Sequence, residues 1–480
     1  MRQFVIAALP EIFLLCGLFT GVMVGLFRKG KNNQLFGVWL VMGLLAVSAG
    51  LCFFQFESPK NVLFSGLFIS NAFTATIKII IMFFSILCLF LALDWLENSS
   101  AAGYEYPLGF GFVVAGLCIA LSAGNLFMLF VAAEFISVSL YWLISYKKED
   151  ESALKSTLNF FIISFIGSAF LAFGCALLYG FSGSLSFSAL NAVILKEYDN
   201  TLGINIGLVF FLCGMLLKIG AAPFHSWTPE VYQGSSAPVT ALLVTVVQLA
   251  LLCILFRLLL YPFFSLSGVW SRIIELAALL SLIWGSIGAL RQDNIKRFVA
   301  YSTLAGCGYT LIAVASANPN ALKEMLFYLI IYSLMTIGLF GVTSSLRTRG
   351  NLCETISKLS GLGQKEPGKA LALTLILLSL AGLPPLAGFL GKFGIIMMAL
   401  ESQKYVLSLF ALLSCITAAY YYLRIIKIMY FNEPGESFDS FTLPSAIVMK
   451  FCAFAAIFLT LYPSVLMKVC EQASLIIGIR

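Results

Sequence analysis

The feature that most limits what this chain can fold into is its recurring apolar runs of about 20 residues, broken only by short polar turns. A run of that length makes a helix that crosses the hydrocarbon of a bilayer with its backbone groups bonded inside the segment. About fourteen such spans can be placed, near 4–27, 34–55, 73–93, 107–122, 125–145, 158–180, 203–225, 236–260, 268–290, 298–316, 322–345, 369–397, 403–428 and 447–468. Charged residues make up only 11% of the chain, against about a quarter in soluble domains. So few polar groups cannot cover a globule of 480 residues. The sequence therefore predicts an all-α polytopic membrane protein, a single membrane domain over 1–480, and excludes a soluble enzyme. The first run holds Pro10 and Glu11 and lacks a small-residue cleavage site, so it reads as a retained span.

Loop charge sets an orientation. With the N-terminus outside, the cytoplasmic loops carry basic residues over the outer loops by roughly two to one. Arg28, Lys29, Lys31, Lys147, Lys148, Arg297, Arg347 and Arg349 are among the inner set, and Lys60, Lys196, Lys323 and Lys404 among the outer. An even span count then leaves both termini outside. This bias explains the net charge of +7 without nucleic acid as a partner.

Several chemistries lack their parts. The sole histidine, His225, leaves no second imidazole for a haem, and it reads as a residue of a helix break. The twelve cysteines are scattered without a C-x-x-C pair, so neither a zinc site nor an iron–sulfur cluster is signalled. No Gly-rich nucleotide loop occurs. The chain is expected to bind no cofactor or metal, and any energy it uses must come from elsewhere.

Two spans are interrupted by Gly and Pro, which cannot continue a helix. One reads Cys213-Gly-Met-Leu-Leu-Lys-Ile-Gly-Ala-Ala-Pro-Phe-His225, the other Ser379-Leu-Ala-Gly-Leu-Pro-Pro-Leu-Ala-Gly-Phe-Leu-Gly-Lys392. Paired broken spans, each with an embedded lysine, point to related halves of a transporter. Glu134 is a lone acid near the middle of its span. A mid-membrane carboxylate costs a few kcal/mol or more, so it should face the protein interior and be paired or protonated. Burial favours its neutral form and a neighbouring lysine its charged form, which suits proton exchange. Lys218 and Lys392 sit beside the two breaks and are the other candidates; a structural hydrogen bond or a lysine snorkelling to the interface is the plainer role for each. Lys78 and Arg257 are expected to snorkel. Glu230, just past the first break, reads equally as an interfacial acid and as a proton-entry group.

The text Lys218-Ile-Gly-Ala-Ala-Pro-Phe-His-Ser-Trp-Thr-Pro-Glu-Val-Tyr-Gln-Gly-Ser-Ser-Ala-Pro-Val239 resembles the antiporter-like membrane subunits of respiratory complex I, and Trp227–Gly234 is similar to subunit N. The resemblance extends to Asn294–Thr303, Ser379–Phe393 and Tyr420–Arg424. It implies fourteen helices with two inverted five-helix repeats, here over 107–260 and 268–428. It also implies a proton relay in which Glu134, Lys218 and Lys392 match the family's fifth-, seventh- and twelfth-span groups. The sequence departs from the pattern at Gln248, where the family has a lysine, and at Gly306, where it often has histidine. Glutamine can hydrogen-bond water but carries no charge.

By the same resemblance, the chain is a non-redox subunit of proton-translocating NADH–quinone oxidoreductase. NADH, FMN, iron–sulfur clusters and quinone belong to partner subunits, which include sister antiporter-like chains. The membrane implied is a bacterial inner membrane, less readily a mitochondrial one. A stand-alone or Mrp-like cation/proton antiporter would use the same buried residues. A structural subunit with a decayed relay is a third reading, motivated by Gln248 and Gly306.

Overall fold

The computed structural model describes residues 2–27, 33–55, 61–97, 103–146, 150–196, 201–344, 346–348, 351–352, 354–433 and 443–474. Of the loop charges that set the orientation, Arg28, Lys29, Lys31, Lys60, Lys147, Lys148 and Arg349 lie outside the described residues, as does Cys353. The helices are α1 (Arg2–Phe27), α2 (Asn33–Phe53), α3 (Ala72–Glu97), α4 (Glu105–Ser122), α5 (Leu126–Ile144), α6 (Glu151–Ser182), α7 (Phe187–Lys196), α8 (Thr201–Ile219), α9 (Thr228–Gly234) and α10 (Ala237–Leu242). They continue as α11 (Gln248–Leu260), α12 (Ser267–Leu290), α13 (Ile295–Ala315), α14 (Ala321–Thr343), α15 (Leu362–Lys365), α16 (Pro367–Ala381), α17 (Ala387–Glu401), α18 (Tyr405–Phe431), α19 (Leu443–Leu461) and α20 (Pro463–Ser474). Two short antiparallel ribbons, Asn61–Leu63 with Phe68–Ser70 and Arg347–Thr348 with Asn351–Leu352, sit in loops.

Among the described residues, 13 helices are long and apolar enough to cross a membrane. The one remaining crossing, twelfth in chain order, is split into α16 and α17, each too short alone. This multi-pass architecture agrees with the expected span count but corrects its boundaries. The seventh span stops at Ile219 rather than running to 225, because Gly220 takes a left-handed conformation and Pro223 follows. The twelfth is two half-helices separated at Gly382-Leu-Pro-Pro. The last ends at Leu461, and Pro463 starts the separate α20.

The core lies where apolar character runs all the way round a helix. The span from α10 through α11, together with α13 and α14, is almost wholly buried, whereas α6, α18 and α19 keep broad outer faces. Leu243–Val247, between α10 and α11, is π-helical. Asn125 caps α5 by accepting from the Met128 N–H at 2.6 Å, and Asn294 caps α13 by accepting from Lys296 N–H at 3.0 Å; both caps satisfy otherwise orphaned donors. Each asparagine also bridges to a later residue, Ser186 and Thr355, across the same number of residues.

Lys78 and Arg257 do not snorkel. Lys78 is fully buried and pairs with Glu11 of α1. Arg257 is 7% exposed, donates to the Leu121 carbonyl and lies over the Phe187 ring at 5.9 Å. Snorkelling needs a free path to the interface, and packed helices close it here.

Helices α6 and α8 meet through glycines, as membrane helices do when backbones approach closely. A methyl on Gly214 would lie 2.8 Å from the Gly167 carbonyl oxygen, and one on Gly174 would lie 2.6 Å from the Phe211 nitrogen. Gly214→Val should therefore force the pair apart and lower stability by about 1–3 kcal/mol, read as a depressed thermal midpoint of the detergent-solubilised protein.

Candidate functional site

The first break places Lys218 at the C-terminal end of α8, in the last turn before the chain leaves the helix. The left-handed Gly220 follows, with φ +77°. A side chain there would lie 2.6 Å from Thr228 Cγ2, so glycine lets α9 fold back against the break. The freed backbone groups find new partners. The Ala222 N–H donates to Ser281 Oγ at 3.0 Å, and the Leu217 carbonyl accepts from the Trp227 indole at 3.2 Å. The Ala222–Pro223 peptide is cis.

The Lys218 ammonium points at α5 and α6. It donates to Glu134 Oε1 at 3.2 Å, Ser137 Oγ at 2.9 Å and Ser168 Oγ at 3.0 Å. An ammonium has three N–H donors, and all three are met. Ser168 also donates to Glu134 and lies 2.9 Å from the Ser164 carbonyl. Ser164 continues the cluster to Ser137 at 3.3 Å. Lys218 is nearly enclosed, with a side chain 6% exposed, while Glu134 retains 35% on the outer flank of α5. A cavity of ≈ 30 Å³ adjoins the ammonium, lined by Ser137, Ser164, Phe160 and Trp227 and, from the α11 side, Val247 and Leu251. That is space on the scale of a water molecule.

The second break holds its lysine differently. Lys392 Nζ donates to the Leu380 and Ala381 carbonyls, both at 2.9 Å. These are the terminal carbonyls of α16, the negative end of its dipole. Gly382, with φ +78°, turns the chain there, and a Cβ on it would lie 2.7 Å from Lys392 Cδ. The ammonium also lies 5.4 Å from the centroid of Tyr309. Lys392 thus has no acidic ion-pair partner among the described residues; its counter-charge is a helix end.

Of the residues expected from sequence, Glu134 and Lys218 are brought together, and Lys392 forms a separate centre. Gln248 is buried directly after the π-helical turn, at the start of α11, which packs against α13. Glu230 stands apart: Asn159 donates to its carboxylate on an exposed edge of α9. His225 stacks on Trp284 at 6.5 Å. Sequence reasoning missed the serines. Ser137 lies one helical turn from Glu134, and Ser164 and Ser168 lie four apart on one face of α6, a spacing that places them side by side.

The model of the NADH:quinone oxidoreductase/Mrp antiporter membrane family matches residues 123–417. The chain belongs to that family. Within it, NADH-quinone oxidoreductase subunit N of Rhodospirillum rubrum is 35% identical over 97% of this chain and 96% of its own length. Subunit N of Pelagibacter ubique is 32% identical over 98% of both. Among solved structures, a chain of respiratory complex I from Thermus thermophilus, with bound aureothin, superposes with TM-score 0.81 at 25% identity over 96% of this chain and 98% of that one. A chain of the Mrp complex from Dietzia sp. shares the fold, with TM-score 0.86 at 19% identity over 98% and 97%. Both breaks, Lys218, Gln248 and Lys392 fall inside the matched segment.

Removing only one partner of the Lys218 pair leaves a charge without its mate. Glu134→Gln should destabilise by about 1–3 kcal/mol, less than a fully buried pair because Glu134 is partly exposed. Adding Lys218→Met should recover most of that loss. Thermal midpoints of the two variants check it; equal losses in both would contradict the pairing.

Proposed function

We propose that this chain is a proton-translocating membrane-arm subunit of an NADH–quinone oxidoreductase, in a bacterial inner membrane with both termini outside. The observation that carries the reading is the Lys218 ammonium, held by one carboxylate and two serine hydroxyls beside a helix break. A buried lysine held this way changes its hold on a proton when the carboxylate moves: proximity favours the charged form, and separation favours release. Glu134 is the movable partner because its outer flank is open. A carboxylate exposed to lipid is costly, so that flank is the surface where a neighbouring membrane subunit sits.

In this reading, redox chemistry in partner subunits that hold NADH, FMN, iron–sulfur clusters and quinone reorganises the membrane arm. The shift alters the Glu134–Lys218 contact. The released proton passes the uncharged Gln248 through water and reaches Lys392, whose site at the end of α16 stabilises positive charge. Residues 107–260 and 268–428 act as two repeats of inverted topology. Two broken spans, two asparagine caps and two equally spaced bridges support that division. Glu230 is assigned no step, since its carboxylate is bonded to Asn159 away from the relay.

The runner-up, a stand-alone or Mrp-like antiporter, has the same fold; the full-length similarity to subunit N proteins favours the respiratory reading. Tagging the chain in native membranes, extracting it gently and identifying its companions by mass spectrometry separates the two. NADH- and quinone-reacting subunits with sister antiporter-like chains are expected; the chain alone, or with Mrp-type companions only, would overturn the proposal. In the assembled complex, Lys218→Ala should lower the protons moved per NADH oxidised, with all subunits still present. An unchanged ratio would sink the relay. Gln248→Lys distinguishes a working neutral step from a decayed one: a gain in pumping would mark the native relay as impaired.

A further inference from the structure

Helices α3 and α19 are tied together at one end only. There the Ser445 N–H, near the start of α19, donates to the Asp94 carboxylate of α3 at 3.1 Å. Further along, the Phe83 and Phe451 rings meet edge to face, with centroids 6.1 Å apart. Beyond that contact a groove of ≈ 480 Å³ opens between the two helices, with Ile330 and Leu334 of α14 at its back. Helix α20 packs on α14 and α3 and borders the far end with Leu466 and Val469. The groove has no polar lining residue.

One wall is a row of rings on α19. Phe454 and Phe458 lie 6.1 Å apart, and Phe458 and Tyr462 lie 5.6 Å apart. Side chains four residues apart share a helix face, so the row runs along the groove and ends in a tyrosine just before α20. Tyrosine is enriched at the membrane–water boundary. Helix α20 has the form of a helix that lies in that boundary: it buries Cys470 and Ala473 and exposes Lys468, Glu471 and Gln472.

The depth of the groove selects its occupant. From Phe451 to Leu459 α19 rises about 12 Å, close to the ~15 Å of hydrocarbon in one leaflet. The groove thus runs from the boundary marked by α20 to near the middle of the membrane, and stops at the Phe83–Phe451 contact. A spanning helix of another subunit crosses both leaflets and would need a path through that closed floor. An acyl chain needs one leaflet only. Charge at the open end agrees. Lys468 is exposed one residue before Val469 and makes no hydrogen bond or ion pair among the described residues. Glu471 lines a separate polar cleft with Lys323 and Ser474. An ammonium at the boundary above an apolar groove matches a phosphate above an acyl chain.

We propose that this groove is a binding site for one phospholipid, with an acyl chain between α3, α14 and α19 and the lipid phosphate against Lys468. The site shares no residue with the Lys218 and Lys392 centres and does not depend on the relay assigned to them. The acyl chain fills the space between α20 and the ring floor that the protein's own side chains leave open.

The test uses the full chain in its native membrane. Phe458→p-benzoylphenylalanine puts a photoreactive ketone on the wall of the groove. After irradiation, mass spectrometry of the purified chain should find the peptide holding that position heavier by one phospholipid. Lys468→Glu sets a carboxylate against the phosphate and should lower that adduct about fivefold or more. Ala455→Trp fills the groove and should lower it as far. Lipid that merely surrounds the protein does not respond to one surface lysine, so an adduct unchanged by Lys468→Glu overturns the site. A cross-link to a peptide in place of lipid, whether of this chain or of a neighbour, also overturns it, as does the absence of any adduct. Should position 458 not accept the larger side chain, Phe454, 65% exposed, carries the same probe. Lys468→Glu changes only an exposed side chain, so its result stands even where Ala455→Trp fails to fold.

Discussion

Breaking a helix inside a bilayer frees backbone groups that no water is there to satisfy, and the rest of this structure depends on how that constraint is met. Unpaired, each such group costs several kcal/mol in hydrocarbon. The two breaks are tolerated because they are buried in protein and each is supplied with specific partners. At the first, the Trp227 indole and Ser281 take up the Leu217 carbonyl and Ala222 N–H. At the second, a lysine does so directly, with two carbonyls on one ammonium. Lys392 is therefore a structural plug for a broken helix as well as the lysine that the proposed relay uses in its half. Lys218 is freed from that duty by Trp227, and its ammonium can turn to Glu134.

Close helix approach does the rest of the positioning. The glycines of α6 and α8 bring Ser168 and Lys218 within hydrogen-bond distance. A wider spacing would leave the ammonium with fewer acceptors in a place where an unmet donor is expensive. The serines matter because they hold the lysine while leaving its pairing with Glu134 adjustable. A second carboxylate in their place would hold the ammonium more strongly and make release harder.

Much of this was legible in the sequence, for identifiable reasons. Spans were readable because the bilayer imposes length and apolarity directly. Glu134, Lys218 and Lys392 stood out because a charge inside an apolar run is rare. The breaks were readable as Gly and Pro, although their ends were not: the seventh helix stops at Ile219, and Pro223 alone does not reveal that Gly220 has already turned the chain. Lys78 and Arg257 were misread because snorkelling is judged from depth along one helix, while their burial comes from neighbours distant in sequence, Glu11 and Leu121. The serines were silent for a related reason. Each is ordinary in a membrane helix until packing gathers it with others, as Ser137 of α5 gathers with Ser164 of α6.

The two lysines differ in a way that bears on direction. The Lys392 counter-charge is built from peptide dipoles at the end of α16, fixed as long as the helix exists. The Lys218 counter-charge is a side chain on the flank of α5, open where a neighbour would sit. A movement that draws Glu134 away weakens the hold on a proton at Lys218 and leaves Lys392 unaffected. External work applied at that flank thus changes one end of the path only. In the relay proposed above, whose middle is neutral, a transfer needs such an asymmetry to have a preferred sense, and the proposal gives that sense as from the adjustable lysine to the fixed one.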